Sequence, residues 1–160
     1  MKIAVGVALV IAVVAVALLV AIRTLPSDPA EWHADPLAAQ DPGEGGVLLV
    51  PPDAPVFAVQ PEELAKAFDG VATAAPRTKR LAGSPEEGFT TYIVRSEWMG
   101  FPDYVSVRTL PADGGSTVAV FSRLRFGSSD LGVNTARLDD WLAALKSAVP
   151  EATPQTEPAQ

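Results

Sequence analysis

Residues 3–22 form an unbroken run of twenty apolar residues or glycine, and no other feature constrains the fold of this chain as strongly. Coiled as an α-helix at about 1.5 Å per residue, such a run spans about 30 Å, the thickness of a bilayer's hydrocarbon core. A secretory signal has a shorter apolar region, about 7 to 15 residues, and then a small-residue cleavage site. Here Arg23, Thr24 and Leu25 follow directly. Segment 1–23 therefore reads as a single-pass transmembrane anchor, with a signal sequence as the alternative. Lys2 and the α-amine precede the run and Arg23 follows it, so the basic residues are nearly balanced across it. The acids Asp28, Glu31, Asp35, Asp41 and Glu44 suit the side away from an anionic cytoplasmic leaflet. This favours an inner (cytoplasmic) membrane location with the soluble part outside, in the periplasm.

Composition divides the remainder. Residues 26–55 hold seven prolines and scattered acids, too little apolar surface to offset the entropy of ordering. Segment 24–44 is accordingly expected to be a flexible tether, 45–150 a single domain and 151–160 a disordered tail. The net charge of −7 lies mostly in the tether and tail, because residues 45–150 carry 10 Lys/Arg against 12 Asp/Glu. A near-neutral domain offers no electrostatic footprint for nucleic acid. The absence of cysteine excludes disulfides, thiolate catalysis, iron–sulfur clusters and cysteine-based zinc sites.

Within the domain, 47–50 and 56–59 are short β-branched runs, and Pro61 with Glu62 and Glu63 marks a helix start. That helix is predicted to reach Asp69, burying Leu64, Ala65 and Phe68 and ending at a left-handed Gly70. Runs 91–98, 104–110 and 117–126 are rich in aromatic and β-branched residues and are separated by turn formers, which predicts an antiparallel meander. The stretch holding Arg77, Lys79 and Arg80 is a candidate further strand. Alternation in the last run puts Val118, Val120, Ser122, Leu124 and Phe126 on the core face, with Arg123 and Arg125 opposite. A final helix over 135–149, capped by Asn134, presents Leu138, Trp141, Leu142, Leu145 and Val149 to the sheet. The expected fold is α+β: a two-layer antiparallel sheet with a short N-terminal and a longer C-terminal helix packed on it, preceded by one transmembrane helix.

Chemistry-bearing residues are sparse. The single histidine, His33, lies in the expected tether, where a solvated side chain is the ordinary outcome, so no histidine-based triad or zinc site is expected. Gly114-Gly115 and Gly127 lack the lysine and following helix of a phosphate loop. No cofactor and no metal are implied. Arg123, Asp130, Asn134 and Arg137 lie close enough in the chain to share a pocket in which the two arginines fork onto a carboxylate or phosphate. The structural alternative is an aspartate accepting turn N–H groups, a capping asparagine and an arginine paired to an acid. Trp98, Met99 and Phe101 form an apolar cluster at a loop, either core or a lip facing membrane or ligand.

Gly100-Phe101-Pro102-Asp103 and the block from Ser122 through Arg123, Gly127, Asp130, Leu131, Gly132, Val133 and Asn134 to Arg137 resemble a bacterial domain-of-unknown-function family, numbered 1499. Val56-Phe57-Ala58-Val59 and Pro61-Glu62-Glu63-Leu64 look like that family's first strand and helix, so the resemblance covers about 100 residues. Leu124 departs from it, standing where such proteins more often show a second serine. The resemblance brings no activity with it. Taken together, the residues favour a noncatalytic envelope module that binds an apolar or lipid-like ligand, or a protein partner, near the membrane. The alternatives are an unrecognised enzyme or anion site on Asp130, Arg123 and Arg137, and a structural or assembly module.

Overall fold

The computed structural model describes residues 2–127 and 129–152. Ser128 of the resembling block and the expected tail from 153 onward lie outside the described residues.

Four strands form the meander: β3 (Thr78–Ser84), β4 (Phe89–Arg95), β5 (Pro102–Ala112) and β6 (Gly115–Leu124). Each pairs antiparallel with the next. Lys79 and Arg80 of the candidate further strand thus lie in β3, which begins just after Arg77. On the free edge of β6 lie two short strands, β1 (Val47–Leu49) and β2 (Val56–Phe57), which pair with different stretches of it, Val47 with Ser122 and Val56 with Thr117. The sheet order is β1-β6-β5-β4-β3, with β2 also on β6. The longest ladder, β5 with β6, runs from Asp103↔Leu124 to Ala112↔Gly115 and closes through Gly114 in the left-handed region (φ 84°). The fold is therefore α+β with an open antiparallel sheet. Pro102 and Asp103, expected in a turn, already belong to β5, and β4 stops at Arg95, which leaves Trp98 in the connecting loop.

Two helices cover the inner face. Helix α3 (Pro61–Ala74) begins at the predicted proline, with Glu62 and Glu63 in its first turn. It does not stop at Gly70: the buried stripe Leu64, Phe68 and Ala72 continues through it, and Gly70 faces open space. Helix α4 (Val133–Ala148) lays Leu138, Trp141 and Leu145 on the sheet. The Trp141 indole stands edge-on to both Phe68 of α3 and Tyr92 of β4, with centroids 5.9 and 6.0 Å away. Val105, Val107, Val118 and Val120 of the central hairpin complete this core. Of the buried polar groups on this face, the Thr109 hydroxyl has no partner, whereas the Asp69 cluster is fully engaged. Asp69 of α3 accepts from Arg80 Nε and from the Tyr92 hydroxyl, and burial together with that carboxylate pushes the Tyr92 phenol well above its ordinary range.

The outer face is covered too, which corrects the reading of 24–44 as a flexible tether and of the fold as two layers. Helix α1 (Lys2–Thr24) is followed by the four-residue α2 (Pro29–Trp32) and a 3-10 turn (Pro36–Ala38), each opened by an aspartate, Asp28 and Asp35, that accepts a backbone N–H. The segment after α1, through α2 and the 3-10 turn, forms a strap across the sheet. Trp32 stacks on Tyr104 at 3.9 Å, His33 stacks on Phe89 at 3.8 Å, and Asp35 pairs with Arg108 at 2.9 Å. Prolines that withhold the strap from a long helix leave it free to bury aromatic rings. At the other terminus, Glu151 bridges to Phe57, and the Ala152 N–H donates to Val56 O at 2.9 Å, so the chain stays paired past the expected start of the tail.

Trp141 joins both helices to the sheet and is only 5% exposed. Trp141→Ala is expected to destabilise the domain by about 3–5 kcal/mol, the usual cost of a large aromatic cavity. Chemical denaturation should show a lower midpoint with little change in slope.

Candidate functional site

A groove of about 780 Å³ lies at the end of the sheet where β4 turns into β5. Its floor is Val94 and Trp141, one wall is Val133, Ala136 and Asp140 of α4, and the lip is Trp98, Met99 and Phe101. The loop 96–101 that builds the lip is held at its base. The Ser96 N–H donates to Phe101 O, the Phe101 N–H donates to Ser96 Oγ, and Arg95 Nη1 donates to Gly100 O at 2.9 Å. Gly100 takes φ 72° to close it. With the base fixed, the tip points outward: Trp98 is 83% exposed, and Met99 is also exposed. Arg23 Nη2, at the end of α1, donates to Trp98 O at 2.6 Å.

The other four candidate residues do not share one pocket. Asp130 Oδ1 accepts the Gly132 N–H at 2.9 Å and Oδ2 accepts the Asn134 N–H at 2.5 Å, so this carboxylate serves the start of α4. Gly132, in the left-handed region, occupies the cap position that Asn134 was expected to fill. Relieved of capping, the fully buried Asn134 turns inward. Its Nδ2 donates to Gly45 O at 3.0 Å, while its Oδ1 accepts from Ser122 Oγ and from Arg137 Nη1. Arg137 also pairs with buried Asp103 at 3.2 Å. Burial raises the Asp103 carboxyl above its ordinary value, and Arg137 opposes the shift. Arg123 lies on the opposite face, because one pleat separates it from Ser122. Of Arg123, Asp130, Asn134 and Arg137, only Arg137 reaches the groove.

Arg123 belongs instead to a polar row beneath the strap, a grouping that the sequence reading missed. Its Nη1 donates to Ser106 Oγ at 3.1 Å and its Nη2 donates to the Trp32 carbonyl. Ser106 bonds Thr91 at 2.8 Å, and Thr91 bonds His33 Nδ1 at 2.8 Å. No carboxylate pairs with Arg123 among the described residues, and burial pushes its guanidinium down to about 10. Because arginine only donates, each hydroxyl finds a partner when Ser106 donates to Thr91 and Thr91 donates to His33 Nδ1. His33 is then neutral with the proton on Nε2, in agreement with burial lowering its pKa. This places a histidine against a hydroxyl where none was expected. Both hydroxyls are fully buried, and the strap closes over them.

Nuclear magnetic resonance titration of the single imidazole should give a midpoint below 6.5, and Thr91→Val should raise it by removing the donor to the neutral ring. The folded pKa is depressed, so this contribution to stability is present above 6.5 and is lost as pH falls through the folded value. Thermal melts of His33→Phe should lack the decline in that window.

No group of three or more metal-ligating side chains occurs among the described residues. Helix α1 is long and apolar enough to cross a membrane, a property that anchors and signal sequences share. No curated protein and no solved structure matches the chain. A family model described as "Protein of unknown function (DUF1499)" matches residues 22–145, a span that starts at the end of α1, includes the whole strap and ends in α4. The chain therefore belongs to the DUF1499 family.

Proposed function

We propose that this protein is a single-pass, inner-membrane-anchored module with its domain on the periplasmic side. In this reading it binds an apolar or lipid-like ligand in the groove beneath Trp98, Met99 and Phe101. The observation that carries the proposal is the location of the groove. A recess of about 780 Å³ falls within the size range of small-molecule sites, and the carbonyl of its lip residue Trp98 is hydrogen-bonded by Arg23, the residue that ends the apolar run. A binding role is preferred to catalysis because the polar groups with chemical potential are already engaged: Asp130 in the helix start, Arg137 with Asp103, and His33 beneath the strap. The cap-and-pair arrangement around Asp130 is the structural alternative weighed for those residues, and it disfavours an enzyme or anion site there.

The full chain, extracted in mild detergent, is expected to carry a reproducible lipid-like mass in native mass spectrometry. Ala136 is an exposed helix residue lining the groove, so Ala136→Trp should obstruct the recess, leave the melting temperature nearly unchanged and greatly reduce the bound mass. An empty wild-type protein, or equal loading in Ala136→Trp, would turn the reading toward a protein partner.

A further inference from the structure

Loop 96–101 carries more exposed apolar surface than the groove requires. Trp98 is 83% exposed and Met99 42%, and the nearby α4 start adds Leu131 at 95% and Val133 at 52%. Large apolar side chains held out at one end of a domain mark a surface that something else covers. The depth of this end is set by α1. Arg23 is the first charged residue after the apolar run, and its side chain lies against the loop: a Cβ on Gly100 would fall 2.7 Å from Arg23 Cγ. A helix spanning the hydrocarbon core therefore brings the loop to the level where acyl chains give way to headgroups, the zone that tryptophan favours.

Acids and arginines both occur at this end, Glu97 and Asp140 among the groove residues, and the arginines fit that zone as well. Arg80, Arg108 and Arg137 each pair with a carboxylate. Arg23, Arg77, Arg95 and Arg125 instead donate to backbone carbonyls, and none of them forms an ion pair among the described residues. Arg77 and Arg95 flank the groove, and Arg125 stands over Phe126, which packs on Phe101. A guanidinium holding a carbonyl with one arm keeps donors for a phosphate oxygen with the others.

We propose that the tip of loop 96–101, Trp98 and Met99, is seated in the phospholipid headgroup layer, with the four unpaired arginines around it contacting lipid phosphates, so that the groove opens onto the bilayer. This rests on the anchor reading of α1 but not on the groove being filled.

The chain has three tryptophans and none lies in α1. Trp32 is stacked on Tyr104 under the strap and Trp141 is in the core, so emission near lipid reports Trp98. The experiment reconstitutes the full chain in phosphatidylcholine vesicles containing phosphatidylglycerol, with bromine on the upper part of the acyl chains. Strong quenching is expected in the wild type and in Trp32→Phe, and loss of most of it in Trp98→Phe, an exposed substitution with little structural cost. Equal quenching in wild type and Trp98→Phe, or none in either, overturns the proposal while the chain remains in the vesicles. Release of the chain by alkaline carbonate would refute the anchor and the inference together.

Discussion

The meeting of Trp141 with Phe68 and Tyr92 is the contact on which the inner layer depends. Each ring comes from a different element, and the perpendicular arrangement joins α3, α4 and β4 at one point. The valines of the central hairpin supply buried area, and the indole ties α4 to α3 and to the sheet. It also forms part of the groove floor. The recess is therefore the open end of the core, where α4 and the β4–β5 loop diverge and no side chain fills the gap.

The opposite face follows another logic. Central strands with alternating residues would ordinarily leave polar side chains in water. Here Thr91, Ser106 and Arg123 are buried, and they satisfy one another, His33 and a strap carbonyl. An arginine buried without a carboxylate is costly to desolvate, and the flanking aromatic rings of Trp32, Tyr104 and Phe121 recover part of that cost through their π faces. This arrangement selects one partner for the face: a segment that offers a carbonyl, an indole and an imidazole acceptor in that order.

The legible parts of the fold were those governed by local rules. β-Branched runs located the meander, and Pro61 located the start of α3. Period-two alternation separated the face of Val118 and Val120 from that of Arg123. The same alternation was sufficient to separate Arg123 from Asn134, because Ser122 is the strand residue that Asn134 meets; proximity along the chain suggested a shared pocket instead. The identity of the helix cap was misread because the helix starts earlier, at Val133, with Gly132 as its cap and Asp130 accepting the N–H groups of Gly132 and Asn134. The strap was illegible because its partners, such as Thr91 for His33 at a separation of 58 residues, leave no periodic trace in a proline-rich segment. For the groove, the aromatic lip was visible in the sequence as a cluster, whereas the α4 wall opposite it depended on how that helix was placed.

The strap also determines reach. As a free tether, residues 24–44 would extend up to about 70 Å and let the domain sample a wide volume around the end of α1. Stacked on Tyr104 and Phe89 and paired to Arg108, the segment has no slack to pay out. With α1 as the proposed anchor, a domain held this way stays within reach of the membrane surface, and its encounters with anything diffusing in that plane become a two-dimensional search.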